Sequence, residues 1–223
     1  MKQSTDARPE GPGMLTGWGS DLAAALEEVA RCGASRLPGF LRLGARQELL
    51  AAVERVSFER APERVRDVQQ DFDLLVIRPT AASRHPKLSP LLALCDEYAA
   101  LLRVQPQLLN APWLADFAPT DIYVQRYRRG SRGITPHRDH RRYVKLISIF
   151  SLGAPAEFRL CRDREGVALR RFPLAAGDLL LLRAPGFAGR HSARLLHAVS
   201  GPKAAIRHSI TLRMEQAENT ASP

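Results

Sequence analysis

His137 and Asp139 occupy positions i and i+2 of the stretch ITPHRDH. In extended chain such residues project from one face, so an imidazole nitrogen and a carboxylate oxygen can converge on one metal ion. The pair alone proves little, because short His/Asp combinations also arise by chance. A third ligand is required, and His197 in the apolar segment ARLLHAV is the candidate. A lone histidine in an apolar strand is more often a satisfied core residue than a ligand, so His197 gains its meaning from what surrounds it.

Two histidines and one carboxylate on one side of an ion leave its other positions open. That is the ligand set of non-haem iron(II) sites, with room for a chelating cosubstrate and for dioxygen. Downstream, the chain reads Arg207-His208-Ser209-Ile210-Thr211-Leu212-Arg213. Strand alternation puts Arg207, Ser209, Thr211 and Arg213 on one face and Ile210 and Leu212 on the other. The first face suits a dicarboxylate, since each guanidinium can grip a carboxylate bidentately and a hydroxyl can add a bond. An edge strand with a solvated polar face is the competing explanation of the same pattern.

These residues need elements to hold them. Ser20-Asp21 opens LAAALEEVARCG at helical spacing, with Gly33 where a C-terminal cap belongs. RQELLAAVERV at 46 to 56 and the segment beginning Ser89-Pro90 read as further helices. From residue 121 the period changes to that of strands: DIYVQRY, VKLISIF, EFRLC, DLLLLRA, RLLHAV and RHSITLR, separated by turn formers. The expected organisation is a flexible start over 1–18, a mainly helical part over 19–120, a strand-built part over 121–214 and a flexible tail over 215–223. Short strands without intervening helices predict a sandwich or barrel with the earlier helices packed outside it, an α+β architecture.

A chain of 223 residues fits one domain and can bury a sizeable core. Its 45% hydrophobic and 25% charged content excludes a disordered or membrane-embedded class. The opening MKQSTDARPEGPG has no apolar secretory region, and no apolar run is long enough to span a bilayer, so a cytoplasmic location, no membrane partner and a monomer are expected. Cys32, Cys95 and Cys161 are too few and too scattered for a disulfide framework or a Cys-rich zinc site, and Cys161 reads as a buried strand residue. The net charge of +10 would attract polyanions, but an arginine-rich background explains it equally well.

The order His137-x-Asp139, His197, Arg207-x-Ser209-x-Thr211-x-Arg213 resembles the H-x-D…H…R-x-N-x-T-x-R signature of the AlkB-like Fe(II)/2-oxoglutarate-dependent dioxygenases. SIFSLGAPAEFRL at 148 to 160 is similar to that family's core strand and turn, and Gln125-Arg126-Tyr127 with Gly130 stands where the family has N-x-Y-x-x-G. RLPGFL at 36 to 41 is similar to its start. The resemblance spans about 121 to 214 and implies a double-stranded β-helix, or jelly-roll, core with N-terminal supporting helices and a substrate lid near 64–83. It implies Fe(II) on His137, Asp139 and His197, with 2-oxoglutarate as cosubstrate and O2 as oxidant. Arg207 would pair with the distal carboxylate, assisted by Tyr127 and Ser209, and Arg213 would lie by the metal-proximal one with Gln125 nearby. Ser209 and Gln125 both replace an Asn of the family, which puts cosubstrate affinity in question.

By the same resemblance, the expected activity is oxidative demethylation or hydroxylation of alkylated nucleic acid, releasing succinate, CO2 and formaldehyde. HRDHRRYVK, with Arg126, Arg128, Arg129 and Arg132, forms a basic cluster where DNA or RNA could dock, Arg141 and Arg142 included. A solvated basic loop is the alternative. Base-modifying enzymes usually stack a flipped base on aromatic side chains, yet the lid segment offers only Phe72. Phe187 and Trp113 are the other candidates, and Arg141 stands where the repair enzymes carry an acidic residue. The second reading keeps the iron and 2-oxoglutarate chemistry for a small acidic metabolite, a lipid or a protein side chain. The third is a non-catalytic basic module. His85, His140, His191 and His208 receive no role.

Overall fold

In a computed structural model, residues 13–16, 19–79, 86–104, 110–189 and 194–216 are described. The expectations for 1–12, for 217–223, for lid residues 80–83, and for His85 and His191 lie outside them. The main α-helices are α1 (Gly19–Cys32), α2 (Leu43–Glu54) and α3 (Ser89–Val104). Gly33 takes φ +92° after α1, as its capping position requires. α2 begins earlier than 46 because Arg42, in extended conformation, lets the helix start at Leu43 without a side-chain cap. No helix among the described residues is long and apolar enough to cross a membrane.

The strands are β1 (Ala34–Leu37), β2 (Glu59–Arg60), β3 (Arg64–Val65), β4 (Val68–Asp71), β5 (Asp73–Ile77), β6 (Asp121–Tyr127), β7 (Gly133–His137), β8 (Tyr143–Gly153), β9 (Ala156–Cys161), β10 (Ala168–Leu174), β11 (Leu179–Arg183), β12 (His197–Val199) and β13 (Arg207–Glu215). Among the described residues they form a seven-stranded sheet ordered β1-β11-β8-β13-β6-β5-β2 and a six-stranded sheet ordered β10-β9-β12-β7-β4-β3. The two antiparallel sheets enclose an apolar interior, the jelly roll that the resemblance implies and a form of the sandwich or barrel that the pattern predicts.

Two cores result. Tyr127, Ile147, Phe158, Phe172, Leu180 and Leu182 fill the space between the sheets. Leu22, Leu49, Leu94 and Tyr98 from the helices pack on Val124, Phe150, Leu179, Leu181 and Ile210 from the outer face of the larger sheet. β11 is thus apolar on both faces, which is why its sequence LLLL does not alternate.

The stretch 19–120 proves less helical than expected. β1 joins β11, β4 joins β7 and β5 joins β6, so the first half of the chain supplies strands to both sheets. The pieces β2 and β3 are too short to show a period. The start is also less free than expected: Met14 and Leu15 are buried, and both of their amides donate to Glu97 on α3. At the other end β13 runs on to Glu215.

Candidate metal centre

β7 and β12 pair antiparallel with His137 opposite His197. Gly133 makes this approach possible: it has φ +81°, and a Cβ there would lie 2.1 Å from the carbonyl oxygen of Val199. Ligand atoms of His137, Asp139 and His197 all lie within 4.8 Å of one another, a cluster that could hold one metal ion. Each imidazole has its Nδ1 on a backbone carbonyl, His137 on Thr135 at 3.0 Å and His197 on Leu195 at 3.1 Å. A carbonyl only accepts, so Nδ1 carries the proton in both rings and Nε2 keeps a free lone pair. Burial pushes the pKa of His137 down to about 3, and burial lowers that of His197 as well. Both rings are therefore neutral donors at neutral pH. For Asp139 burial alone would favour the protonated form, but Arg213 and the two histidines outweigh it and keep the carboxyl below its usual range.

The other half of the centre lies on β13 and β6. Their register sets Arg207 opposite Tyr127, Ser209 opposite Gln125 and Thr211 opposite Tyr123. Arg207 is 1% exposed, and of its guanidinium only Nη2 has a hydrogen-bond partner, Ser151 Oγ at 3.2 Å. Its Nε and Nη1 are buried without one. An unmatched buried cation is costly, so the side chain is arranged for an anion that arrives from outside. Tyr127 lies beside it with its ring centre 5.2 Å from the guanidinium carbon, and Ser209 Oγ donates to Gln125 Oε1 at 3.1 Å. These residues and the three candidate ligands line one pocket. Metal ligands at one end and an unpaired guanidinium at the other fit a chelating carboxylate.

The sequence model of the 2OG-Fe(II) oxygenase superfamily matches residues 41–213. The chain belongs to this superfamily. Its members are oxygenases that use Fe(II), 2-oxoglutarate and O2, and the His-Asp-His cluster supplies a candidate iron site. No curated protein matches the chain in sequence. Among solved structures, a Pseudomonas putida prolyl-4-hydroxylase superposes with TM-score 0.57 and 18% identity over 87% of this chain and 99% of its own. A prolyl hydroxylase from Trichoplax adhaerens, in complex with a hypoxia inducible factor peptide fragment, superposes with TM-score 0.59 and 15% identity over 88% and 90%. A 2OG-Fe(II) family oxidoreductase from Burkholderia pseudomallei gives TM-score 0.59 and 17% identity over 88% and 89%. At these identities the likeness is one of fold.

The candidate ligands and the candidate cosubstrate residues line one pocket, while Phe72, Phe187, Arg141 and Arg142 are not among its lining. Phe72 is 4% exposed and packs on Tyr127 with ring centres 5.3 Å apart, walling the interior instead of facing a ligand. Phe187, also 4% exposed, packs on Trp113 at 4.4 Å in the helix-side core. Both rings are engaged in packing contacts.

Part of the basic cluster is paired with carboxylates. Buried Asp73 accepts from Arg126 Nε at 3.0 Å and from Arg128 Nε at 3.0 Å, and Lys145 pairs with Asp116. Arg142 is turned to Tyr143 and Glu215, while Arg141 is exposed. Two tyrosines were not singled out from the sequence. Tyr123 and Tyr143 flank Arg213, which donates through Nη2 to Asp139 Oδ1 at 2.7 Å. The position of Tyr123 on the inner face of β6, in step with Gln125 and Tyr127, was the available signal.

Proposed function

We propose that this oxygenase holds Fe(II) with His137, Asp139 and His197 and receives the distal carboxylate of 2-oxoglutarate on Arg207, to hydroxylate a C–H bond of a protein side chain. When held there, iron with 2-oxoglutarate and O2 would supply the oxidising chemistry, one oxygen atom going to the substrate and the other to succinate with loss of CO2. The chain's own part is placement. The Nδ1 bonds to Thr135 and Leu195 keep both imidazoles aimed, and Arg207 with Tyr127 and Ser209 would fix the far end of the cosubstrate. The observation that carries the cofactor part is the buried guanidinium of Arg207, with two N–H positions unmatched, in the same pocket as the ligand cluster.

For the substrate, the burial of Phe72 and Phe187 carries the choice. A flipped base needs stacking faces, and both candidates are spent on packing. The peptide in the Trichoplax adhaerens structure supports a protein substrate on the same fold. A second reading, AlkB-type removal of alkyl groups from nucleic acid with release of formaldehyde, is favoured by the second arginine of Arg207-x-Ser209-x-Thr211-x-Arg213 and by the net charge of +10. One experiment separates them. Protein loaded with Fe(II) is given 2-oxoglutarate and O2 with methylated single-stranded DNA and RNA in one arm and proteome-derived peptides in the other. We expect peptides that gain one oxygen in mass and no formaldehyde from the nucleic acids; formaldehyde with loss of the base methyl would overturn the protein-side-chain choice.

A further inference from the structure

We propose that Tyr123 and Tyr143 clamp Arg213 so that it presets the carboxylate of Asp139, making all three positioning residues for the metal ligand. This rests on the reading of Asp139 as a ligand, and it differs from the expectation that Arg213 serves the cosubstrate's metal-proximal carboxylate. The guanidinium carbon of Arg213 sits 4.3 Å from the ring centre of Tyr123 and 5.0 Å from that of Tyr143. Stacking of this kind suits the flat, delocalised cation. The two hydroxyls are joined at 2.8 Å, and Arg142 Nη2 donates to Tyr143 at 2.7 Å, so the jaws of the clamp are tied to each other and to a second cation. Arg142 is in turn paired with Glu215 at 3.3 Å, next along β13 from the bulged region.

The backbone is shaped to bring Tyr143 there. Between β13 and β8 the register shifts from Leu212 opposite Ser148 to Met214 opposite Val144, so β8 carries a bulge across from Arg213. Lys145, within that bulge, has φ +65°, a left-handed conformation that a lysine adopts only when its surroundings hold it. They do: its amide donates to the carbonyl of Pro185, its carbonyl accepts from Ala184, and its Nζ reaches the carbonyl of Trp113 and Asp116. Tyr143 is thereby set opposite Glu215 with its ring over the guanidinium.

The consequence falls on Asp139. Its Oδ1 is occupied by Arg213, while Oδ2 faces His197 Nε2 at 3.4 Å. One carboxylate oxygen is thus directed into the ligand cluster and the other is held out of it. Outer partners of this kind contribute a factor on the order of 10 to 100 to metal affinity.

The test is Co(II) titration of the full-length metal-free protein, followed by the d–d absorption of the bound ion, with 2-oxoglutarate affinity of the Co(II)-loaded protein measured beside it. Arg213→Met is expected to weaken Co(II) binding on the order of 10- to 100-fold and to alter the absorption band shape. Arg213→Lys, which keeps the charge but lacks the flat face, should fall between Arg213→Met and the parent. Tyr143→Leu and Tyr123→Leu should follow in the same direction, and Tyr143→Phe, which keeps the ring, should stay within about threefold of the parent. Parent-like Co(II) binding by Arg213→Met together with weakened 2-oxoglutarate binding would overturn the proposal. Parent-like binding by Arg213→Lys would overturn the clamp, even if the leucine variants fail to fold. His137→Ala separates the two readings, because parent-like Co(II) binding by that variant would remove the metal site itself.

Discussion

At the deep end of β13, Arg207 is buried with two guanidinium positions unmatched; at the mouth end, Arg213 is stacked between two tyrosines and bonded to Asp139. Both residues lie on the same face of one strand, so alternation alone cannot tell them apart. Their surroundings can. Arg213 also leaves its Nε unmatched, but it has a carboxylate partner in Asp139, whereas Arg207 has none among the described residues and stands ready for an anion from solution. On this reading the two arginines divide the work: one receives the cosubstrate and the other sets a ligand.

The largest effect expected at the deep end comes from Phe72→Ala. It opens a cavity against Tyr127 and should cost about 3 to 5 kcal/mol of stability in urea unfolding; a variant as stable as the parent that had lost only substrate turnover would restore Phe72 as a substrate-facing residue. Next come the arginines, which should move in opposite directions. Arg207→Met should raise the stability of the ligand-free protein by about 1 to 3 kcal/mol, since it removes an unmatched buried charge, while weakening 2-oxoglutarate about 100-fold in calorimetry. Arg213→Met should lower ligand-free stability, because it strands the buried carboxylate of Asp139. Equal signs for the two would erase the distinction.

The opposite face of β13 gives a smaller effect. His208 is buried against Phe58 with neither ring nitrogen bonded, and burial lowers its pKa to about 4 from an ordinary 6.5. A base depressed in the folded state contributes stability that is complete above 6.5 and is lost as pH falls towards 4. His208→Leu should therefore flatten the fall in stability between pH 7 and pH 5, by up to about 1.4 kcal/mol per pH unit. His137 and His197 keep their share, which has the same sign. The smallest effect expected is that of Ser209→Asn or Gln125→Asn, each within about fivefold of the parent in 2-oxoglutarate affinity, because the exchanged groups still hydrogen-bond.

The parts that were legible in the sequence are those where chemistry demands a residue type at a set spacing: His137 and His197 on paired strands, Asp139 two residues past the end of β7, and the inward face of β13. A sandwich or barrel followed from the short strand-like segments after residue 121, and the family resemblance narrowed it to a jelly roll. The strands before it did not, because β2 and β3 have two residues each and β5 carries DLLVI without alternation. The pairing inside the basic cluster was hidden for a different reason. Arg126 and Arg128 are matched by Asp73, 53 and 55 residues earlier, and no local pattern announces such a pairing. Tyr143 was missed because it reaches Arg213 through a bulge centred on a positive-φ lysine, where a glycine would have been the usual signal.

The most direct measurement is succinate formation from 2-oxoglutarate by protein purified anaerobically, loaded with Fe(II) and then exposed to O2. The parent should form succinate, and His137→Ala, Asp139→Ala and His197→Ala should each fall to the background of the metal-free protein. Succinate formation by any of the three at the parent rate would contradict the assignment of the iron site.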